Sequence, residues 1–274
     1  MSLIIAFDVD DTLYDLQQPF RLAVQDVFRN LYDEIISQVF LRTRVRGDEL
    51  FTEFSTGQIP QEEYFCYRNV KGFEDCGVMI SREEALQIQE NYRQHQKQIA
   101  MSDEIRSMLQ ELKNRGIQNA QKQNPKTGRN VVAGIITNGL SDAQWKKIRT
   151  LGIPAYIDEG KIVISGDVGC AKPAPGIFKI AESRFRSQTR DTLEKLQGSQ
   201  ELQVWQELQE SREDEFWYIG DTYVNDIEGA AGAGWHTIWF NRRNLPIPGS
   251  KVKPDLIARD EQELTKLIRE LIMD

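Results

Sequence analysis

Acidic, hydroxyl, amide and lysine side chains follow four short apolar runs of the sequence. These residues are Asp8 and Asp10 after the run 3–7, Thr137 and Asn138 after 131–136, Lys172 beyond 162–164, and Asp221 after 216–219. Carboxylates can supply a nucleophile, an acid–base group and ligands for a metal ion. A hydroxyl, an amide and an ammonium group can hold the oxygens of an anion. The pattern therefore predicts one polar site, provided that the fold brings the four run ends together.

The elements between these residues indicate how the ends would meet. The four runs, and a fifth at 237–240, are short and rich in β-branched residues, as in strands buried on both faces of a parallel sheet. Apolar residues at helical spacing lie near 105–112, where Gly116 predicts a helix end, and near 264–271, where Asp260 predicts an N-cap. This alternation predicts an α/β fold with a Rossmann-like parallel sheet, whose sites form at the carboxyl ends of the strands.

The first two predicted strands are too far apart in sequence for a single crossover. The intervening segment 15–100 is rich in Gln, Glu, Arg and Leu and predicts an inserted helical cap domain. The core domain would then comprise residues 1–14 and 101–274. Two smaller insertions are expected: a surface loop at 118–130, and an extra surface helix or helix pair at 187–214.

Composition limits the class of protein. The 274 residues carry 34 Lys and Arg against 42 Asp and Glu, a formal net charge of −8, which gives no global attraction to a nucleic acid polymer or an anionic membrane. The three cysteines form no C-x-x-C pair, which is typical of a reducing compartment. With neither a secretory signal nor a membrane-spanning apolar run, we expect a cytoplasmic enzyme. The sequence does not indicate its oligomeric state.

Taken in order, the motifs resemble the phosphatase branch of the haloacid dehalogenase superfamily. They are Asp8-Val9-Asp10-Asp11-Thr12, Thr137-Asn138-Gly139, Lys172-Pro173 and Gly220-Asp221-Thr222. The helical insertion resembles the cap that members of this superfamily carry between motifs one and two. The stretches 135–139 and 166–178 also resemble pyrimidine 5′-nucleotidases and N-acylneuraminate 9-phosphatases, two groups that these motifs do not separate.

The carboxylates suit hydrolysis of a phosphate monoester. Asp8 is the candidate nucleophile, which would form an aspartyl-phosphate. Asp10 would protonate the leaving oxygen and then accept a proton from water, so its surroundings should raise its pKa. Mg²⁺ would screen the repulsion between Asp8 and the dianion. Its expected ligands are the Asp8 and Asp221 carboxylates and, as the resemblance implies, the backbone carbonyl of Asp10.

Other motif residues have a structural and a functional interpretation. Thr137, Asn138 and Lys172 are expected to hold phosphate oxygens, although an Asn-Gly pair is also typical of a tight turn. Thr12 would orient the Asp8 loop, and Asp11 would cap its turn. Asn225 and Asp226 could cap a helix. The resemblance implies instead that Asp226 supports the water ligands of the metal or orients Lys172.

These expectations favour a Mg²⁺-dependent phosphomonoester hydrolase that acts on a small phosphorylated metabolite, a nucleotide or a sugar phosphate. Three alternatives remain: a phosphosugar mutase, a dehalogenase and a non-catalytic binding module. Asp10 disfavours a dehalogenase because a halide leaves without a proton. The arginines 42, 44 and 46 in the insertion could contact an anionic substrate, but a solvated face is more common.

Overall fold

Six strands, all parallel, form one sheet in the order β3-β2-β1-β4-β5-β6. They are β1 (Ser2–Phe7), β2 (Asn130–Thr137), β3 (Ile162–Ile164), β4 (Glu215–Gly220), β5 (His236–Phe240) and β6 (Leu256–Ala258). The predicted α/β fold and its five strands are confirmed. Strand β6 was not predicted; unlike β3, which is equally short, it is only partly buried. The computed structural model describes residues 2–121, 130–194 and 214–273, without the side chains of 118–121 and 187–194.

The central position of β1 determines which strand ends are neighbours. This strand pairs with β2 on one side and with β4 on the other, and Phe7 lies opposite both Ile135 and Ile219. The carboxyl ends of the three strands therefore lie side by side. This strand order and register explain how residues more than 200 positions apart in the chain, such as Asp8 and Asp221, reach one edge of the sheet.

Eleven α-helices lie among the described residues. They are α1 (Gln17–Val27), α2 (Asp33–Glu49), α3 (Phe51–Ser55), α4 (Gln61–Glu74), α5 (Arg82–His95), α6 (Asp103–Gln121), α7 (Ser141–Thr150), α8 (Ser165–Val168), α9 (Pro175–Glu194), α10 (Gly229–Gly232) and α11 (Glu261–Met273). A π-helical turn, Tyr223–Glu228, follows β4. None of the described helices is long and apolar enough to cross a bilayer.

The chain divides into two compact units, Asp15–Ala100 and the combination of Met1–Tyr14 with Met101–Asp274. The first unit holds α1–α5 and has an apolar core of its own, in which the rings of Phe20 and Phe40 lie 5.6 Å apart. In the second unit, one face of the sheet packs against α9 through residues such as Ile136, Phe178 and Phe185.

The predictions for the ends of two helices, at Asp260 and at Gly116, had different outcomes. Asp260 does cap α11, since its side chain accepts a hydrogen bond from the backbone N–H of Glu263 at 2.8 Å. The prediction that Gly116 ends a helix is wrong, because α6 continues to Gln121. A Cβ at Gly116 would lie 2.9 Å from the Val131 carbonyl oxygen, so the glycine serves close packing on β2.

Both smaller insertions extend beyond the described residues. Helix α6 covers 118–121, where a loop was expected, while 122–129 lie outside the description. Helix α9 covers 187–194 of the second insertion, and 195–213 lie outside as well.

Gly134 on β2 allows α9 to approach the sheet, which yields a stability prediction. A Cβ at this position would lie 2.4 Å from the Phe185 ring. We expect Gly134→Ala to lower the free energy of unfolding by about 1–3 kcal/mol through overpacking. Gly249→Ala is the matched control, because a Cβ there meets no atom within 4 Å. Urea denaturation would measure both variants, and equal stability of Gly134→Ala and wild type would contradict this packing.

Candidate active site

Asp8 is the first residue beyond β1 and is buried at the edge of the sheet. Its backbone N–H donates to the carbonyl of Ile219 on β4 at 2.9 Å, which continues the sheet hydrogen bonding by one residue. Its carboxylate oxygen accepts a hydrogen bond from the Lys172 ammonium at 3.0 Å. The strand therefore fixes the backbone of Asp8, while a lysine from another loop contacts the carboxylate.

Lys172 comes from the loop that precedes α9, and only 2% of its side chain is exposed. Its ammonium donates to Asp8 at 3.0 Å, to Asp226 at 2.6 Å and to the Tyr218 hydroxyl at 2.8 Å. Burial lowers the pKa of Lys172, but the Asp226 and Asp8 carboxylates outweigh burial and raise it. Three acceptors on three N–H groups satisfy the buried cation completely, so its position is closely determined.

The same burial makes a negative charge on Asp8 costly. Burial raises the pKa of Asp8 to about 6, with the Asp226 and Asp10 carboxylates adding to the effect and Lys172 opposing it. Without a further cation, the ionised form of Asp8 is thus poorly stabilised at this edge of the sheet.

Carboxylate oxygens of Asp8, Asp221 and Asp226 all lie within 4.8 Å of one another, a spacing at which they could hold a metal ion. Asp226 also has partners in the protein, since one oxygen accepts from Lys172 and the other from the Thr222 backbone N–H at 2.8 Å. Gly220 leaves room for this carboxylate, because a Cβ there would lie 2.4 Å from it. Two roles were considered for Asp226: to support the water ligands of the metal, or to orient Lys172. Its hydrogen bond with the Lys172 ammonium favours the second role.

Thr137 is the last residue of β2, Asn138 is the first residue beyond it, and their contacts differ. The Thr137 hydroxyl is buried and hydrogen-bonds to no described residue. The Asn138 side chain donates to the Lys172 carbonyl and accepts from the Lys172 N–H, both at 2.9 Å. These two hydrogen bonds join the loop after β2 to the loop that carries Lys172. The expectation that Asn138 helps to hold phosphate stays a prediction.

Asp10 is surrounded by hydrogen-bond donors. Lys147 contacts its two oxygens at 2.8 and 2.5 Å, Gln144 donates at 3.0 Å and the Tyr14 hydroxyl at 2.5 Å. Burial raises the pKa of Asp10, but Lys147 and these hydrogen bonds outweigh it and lower the pKa to about 2. The expectation that its surroundings raise this pKa is wrong for this arrangement, because a lysine pairs with the carboxylate.

Gln144 and Lys147 were not predicted to belong to the site. They lie three residues apart on α7, and this spacing places two side chains on one helix face. The sequence signal for these two site residues was a glutamine and a lysine on the helix that follows Thr137-Asn138-Gly139. Many solvated helices show the same pair of residue types, so the signal is weak.

The remaining predicted residues lie around the same loops. Asp11 has a left-handed backbone, φ 59°, and its carboxylate forms a two-point ion pair with Arg243 at 2.5 and 3.1 Å. The sequence did not predict this ion pair, and the turn cap by Asp11 stays a prediction. The Thr12 hydroxyl is buried and has no hydrogen-bond partner among the described residues. Asn225 is half-buried in the π-helical turn.

The arginines of the insertion make contacts within their own unit. Arg46 forms ion pairs with Glu49 at 2.9 Å and Asp75 at 2.8 Å, and the Arg44 guanidinium lies 5.8 Å from the centre of the Phe40 ring. These contacts favour the interpretation of the cluster as a surface face over a substrate contact.

Curated relatives of this chain include proteins named phosphatase and nucleotidase. Phosphoserine phosphatase of Thermus thermophilus is 21% identical over 95% of this chain and 97% of its own length. Glyceraldehyde 3-phosphate phosphatase of Methanopyrus kandleri is 28% identical, with 52% of this chain and 51% of its own length covered. Pyrimidine 5′-nucleotidase YjjG of Escherichia coli is 30% identical, with 51% of this chain and 50% of its own length covered. The chain thus spans about half the length of the last two relatives.

Solved structures share the fold at low sequence identity. The protein YfnB of Bacillus subtilis, solved with magnesium bound, matches with a TM-score of 0.61 and 22% identity, over 97% of this chain and 98% of that one. L-2-haloacid dehalogenases share the fold too. The family model of the haloacid dehalogenase-like hydrolases matches residues 3–234. Strand-end motifs, parallel sheet and family model agree, and the chain belongs to the haloacid dehalogenase-like hydrolases.

Proposed function

We propose that this enzyme is a Mg²⁺-dependent phosphomonoester hydrolase that acts through an aspartyl-phosphate on Asp8. One observation carries the proposal: the carboxylates of Asp8, Asp221 and Asp226 meet within 4.8 Å beside a fully paired, buried Lys172. A carboxylate nucleophile, acidic metal ligands and a fixed cation are what the transfer of a dianionic phosphoryl group requires.

In the first step, an Asp8 oxygen attacks phosphorus, and the bond between phosphorus and the leaving oxygen breaks. Asp10 gives a proton to that oxygen. Since Asp10 is paired with Lys147, it must take up a proton before it can give one to the leaving oxygen. In the second step, Asp10 accepts a proton from water, water attacks phosphorus, and Asp8 leaves as a carboxylate.

Lys172 and Thr137 would hold the phosphoryl oxygens. The Lys172 ammonium already lies 3.0 Å from the Asp8 oxygen, so it is close to any group that this carboxylate attacks. The Thr137 hydroxyl is an orphaned buried donor, and a phosphoryl oxygen would satisfy it. Both donors would act where negative charge accumulates during transfer. Lys172 would exchange one of its three present hydrogen bonds for a phosphoryl oxygen.

The site chemistry fits a magnesium ion. The ligands would be the Asp8 and Asp221 carboxylates and the Asp10 backbone carbonyl, all hard oxygen donors. Asp8, whose pKa is raised to about 6 even beside Lys172, would gain a further counter-charge in this way. When bound, the ion screens the repulsion between the Asp8 carboxylate and the phosphoryl oxygens.

The names of the relatives point to a small phosphorylated metabolite as substrate. They include a phosphoserine phosphatase, a sugar-phosphate phosphatase and a pyrimidine 5′-nucleotidase. Dehalogenases share the fold, but Asp10 has no task in the departure of a halide. Transfer to water rather than to a second sugar hydroxyl separates the proposed hydrolase from a mutase.

The proposed function predicts metal-dependent release of inorganic phosphate. We expect turnover of at least one ester in a panel of nucleotides, sugar phosphates and phosphoserine with Mg²⁺, and its loss when EDTA removes the ion. Phosphate release and chloride release from 2-chloropropionate would be measured in parallel. Chloride release without phosphate release would identify a dehalogenase, and no turnover of either substrate would favour a binding module.

Asp8→Asn should lower kcat by more than about 10³-fold, because an amide oxygen is a poor nucleophile towards phosphorus. Asp142→Asn is the control, since Asp142 is an exposed acid on α7. Steady-state kinetics would be combined with thermal denaturation to show that both variants are folded. Near-normal kcat in folded Asp8→Asn would remove this residue from the nucleophile role.

Asp221→Asn should weaken Mg²⁺ binding by about tenfold or more, because one of two carboxylate ligands loses its charge. Isothermal titration of the substrate-free protein with MgCl₂ measures this directly. The same Asp142→Asn variant should bind Mg²⁺ as wild type does. An unchanged dissociation constant in Asp221→Asn would place the metal elsewhere.

A further inference from the structure

We propose that Lys147 and Gln144 on α7 are positioning residues for Asp10: they hold its carboxyl group in the orientation needed at the leaving-group oxygen. This inference rests on the proposed function and adds to it two residues outside the four motifs. It starts from the observation that the side chains of Lys147, Gln144 and Tyr14 all donate hydrogen bonds to the Asp10 carboxylate.

Lys147 makes the closest contacts. Its ammonium lies 2.5 Å from one Asp10 oxygen and 2.8 Å from the other, so it bridges the carboxylate. The two side chains are only 13% and 19% exposed. Asp10 is the sole described hydrogen-bond partner of this ammonium, so the contact with Asp10 alone offsets the cost of burying the lysine.

Gln144 connects Asp10 to the loop after β2. Its amide nitrogen donates to Asp10 at 3.0 Å and to the Asn138 carbonyl at 2.9 Å, and only 3% of the residue is exposed. Gly139 makes this approach possible, because a Cβ there would lie 2.6 Å from that nitrogen. The amide is therefore fixed relative to Asn138, whose side chain in turn binds the Lys172 loop.

These hydrogen bonds connect the Asp10 carboxylate to the loop after β2 and, through Asn138, to the loop that carries Lys172. Asp10 lies in a loop, and rotation about its two side-chain bonds would carry the carboxyl group away from the leaving oxygen. Donors on α7 and the Tyr14 hydroxyl restrict that rotation. Misplacement of a catalytic group by 1 Å can slow a reaction by about 10²-fold, so two positioning residues can have a large effect without touching the substrate.

The test compares Lys147→Met, Lys147→Arg and Gln144→Leu with the control Lys146→Met, an exposed lysine on the same helix. Single-turnover rates of phosphoryl transfer are measured for an alkyl phosphate, whose leaving oxygen needs a proton, and for 4-nitrophenyl phosphate, whose leaving group does not. We expect Lys147→Met and Gln144→Leu to slow alkyl transfer by about tenfold or more and aryl transfer by less than about threefold. Lys147→Arg should restore part of the alkyl rate, and Lys146→Met should match wild type.

A double substitution distinguishes positioning from a separate catalytic effect. In an Asp10→Asn background, Lys147→Met should change the alkyl rate by less than about twofold, because the group that it positions is already disabled. Equal slowing of both esters, or an undiminished effect in the Asp10→Asn background, would overturn the proposal. Crystal structures of Lys147→Met and Lys146→Met give a readout independent of activity: Asp10 should change rotamer only in the first, and an unchanged Asp10 in both would also overturn it.

These measurements distinguish failure of the positioning role from failure of the proposed function. If wild type turns over no ester of the substrate panel, the proposed function fails, while the Asp10 rotamer still decides the positioning role. If wild type turns over both esters and the variants show no difference between them, only the positioning role fails.

Discussion

The structure of the site depends on a single buried ammonium group. Lys172 donates to Asp8, Asp226 and Tyr218 with almost none of its side chain exposed, and a lysine in that environment is stable only when every N–H group finds an acceptor. Removal of either carboxylate would leave one N–H group of this buried cation without its acceptor. The loops that carry these residues are therefore bound to one another through the cation.

Neighbouring contacts maintain that arrangement. The Tyr218 hydroxyl donates to the Ile136 carbonyl at 2.5 Å, so β4 and β2 both help to position the ammonium. The Asn138 side chain pairs with the backbone of Lys172. Gly220 provides the space for Asp226. Asn138 and Gly220 are residue types common in turns, but here they have tertiary roles: Asn138 hydrogen-bonds to the backbone of Lys172, and Gly220 leaves room for Asp226. These contacts help to keep several like charges close to one ammonium group.

The sequence was sufficient for features that depend on local pattern, and insufficient for those that depend on tertiary contacts. Strand ends with Asp8, Thr137 and Asp221 could be predicted because buried parallel strands have a distinctive apolar pattern. The ion pair of Asp10 with Lys147 could not, since it joins positions 137 residues apart and involves a common surface residue type. For the same reason the direction of the Asp10 pKa shift was wrong. Gly116 was interpreted from its local conformational preference, whereas its packing on β2 determines its role.

The central claim, that Asp8 carries the phosphoryl group, is tested most directly by trapping the intermediate. Wild type would be mixed with a ³²P-labelled substrate ester and Mg²⁺, quenched in acid on the millisecond scale, digested and mapped by mass spectrometry. The account predicts transient label on the Asp8 peptide, which forms before inorganic phosphate and is released by hydroxylamine. Labelled phosphate that appears at the full rate with no labelled Asp8 peptide at any time would contradict it.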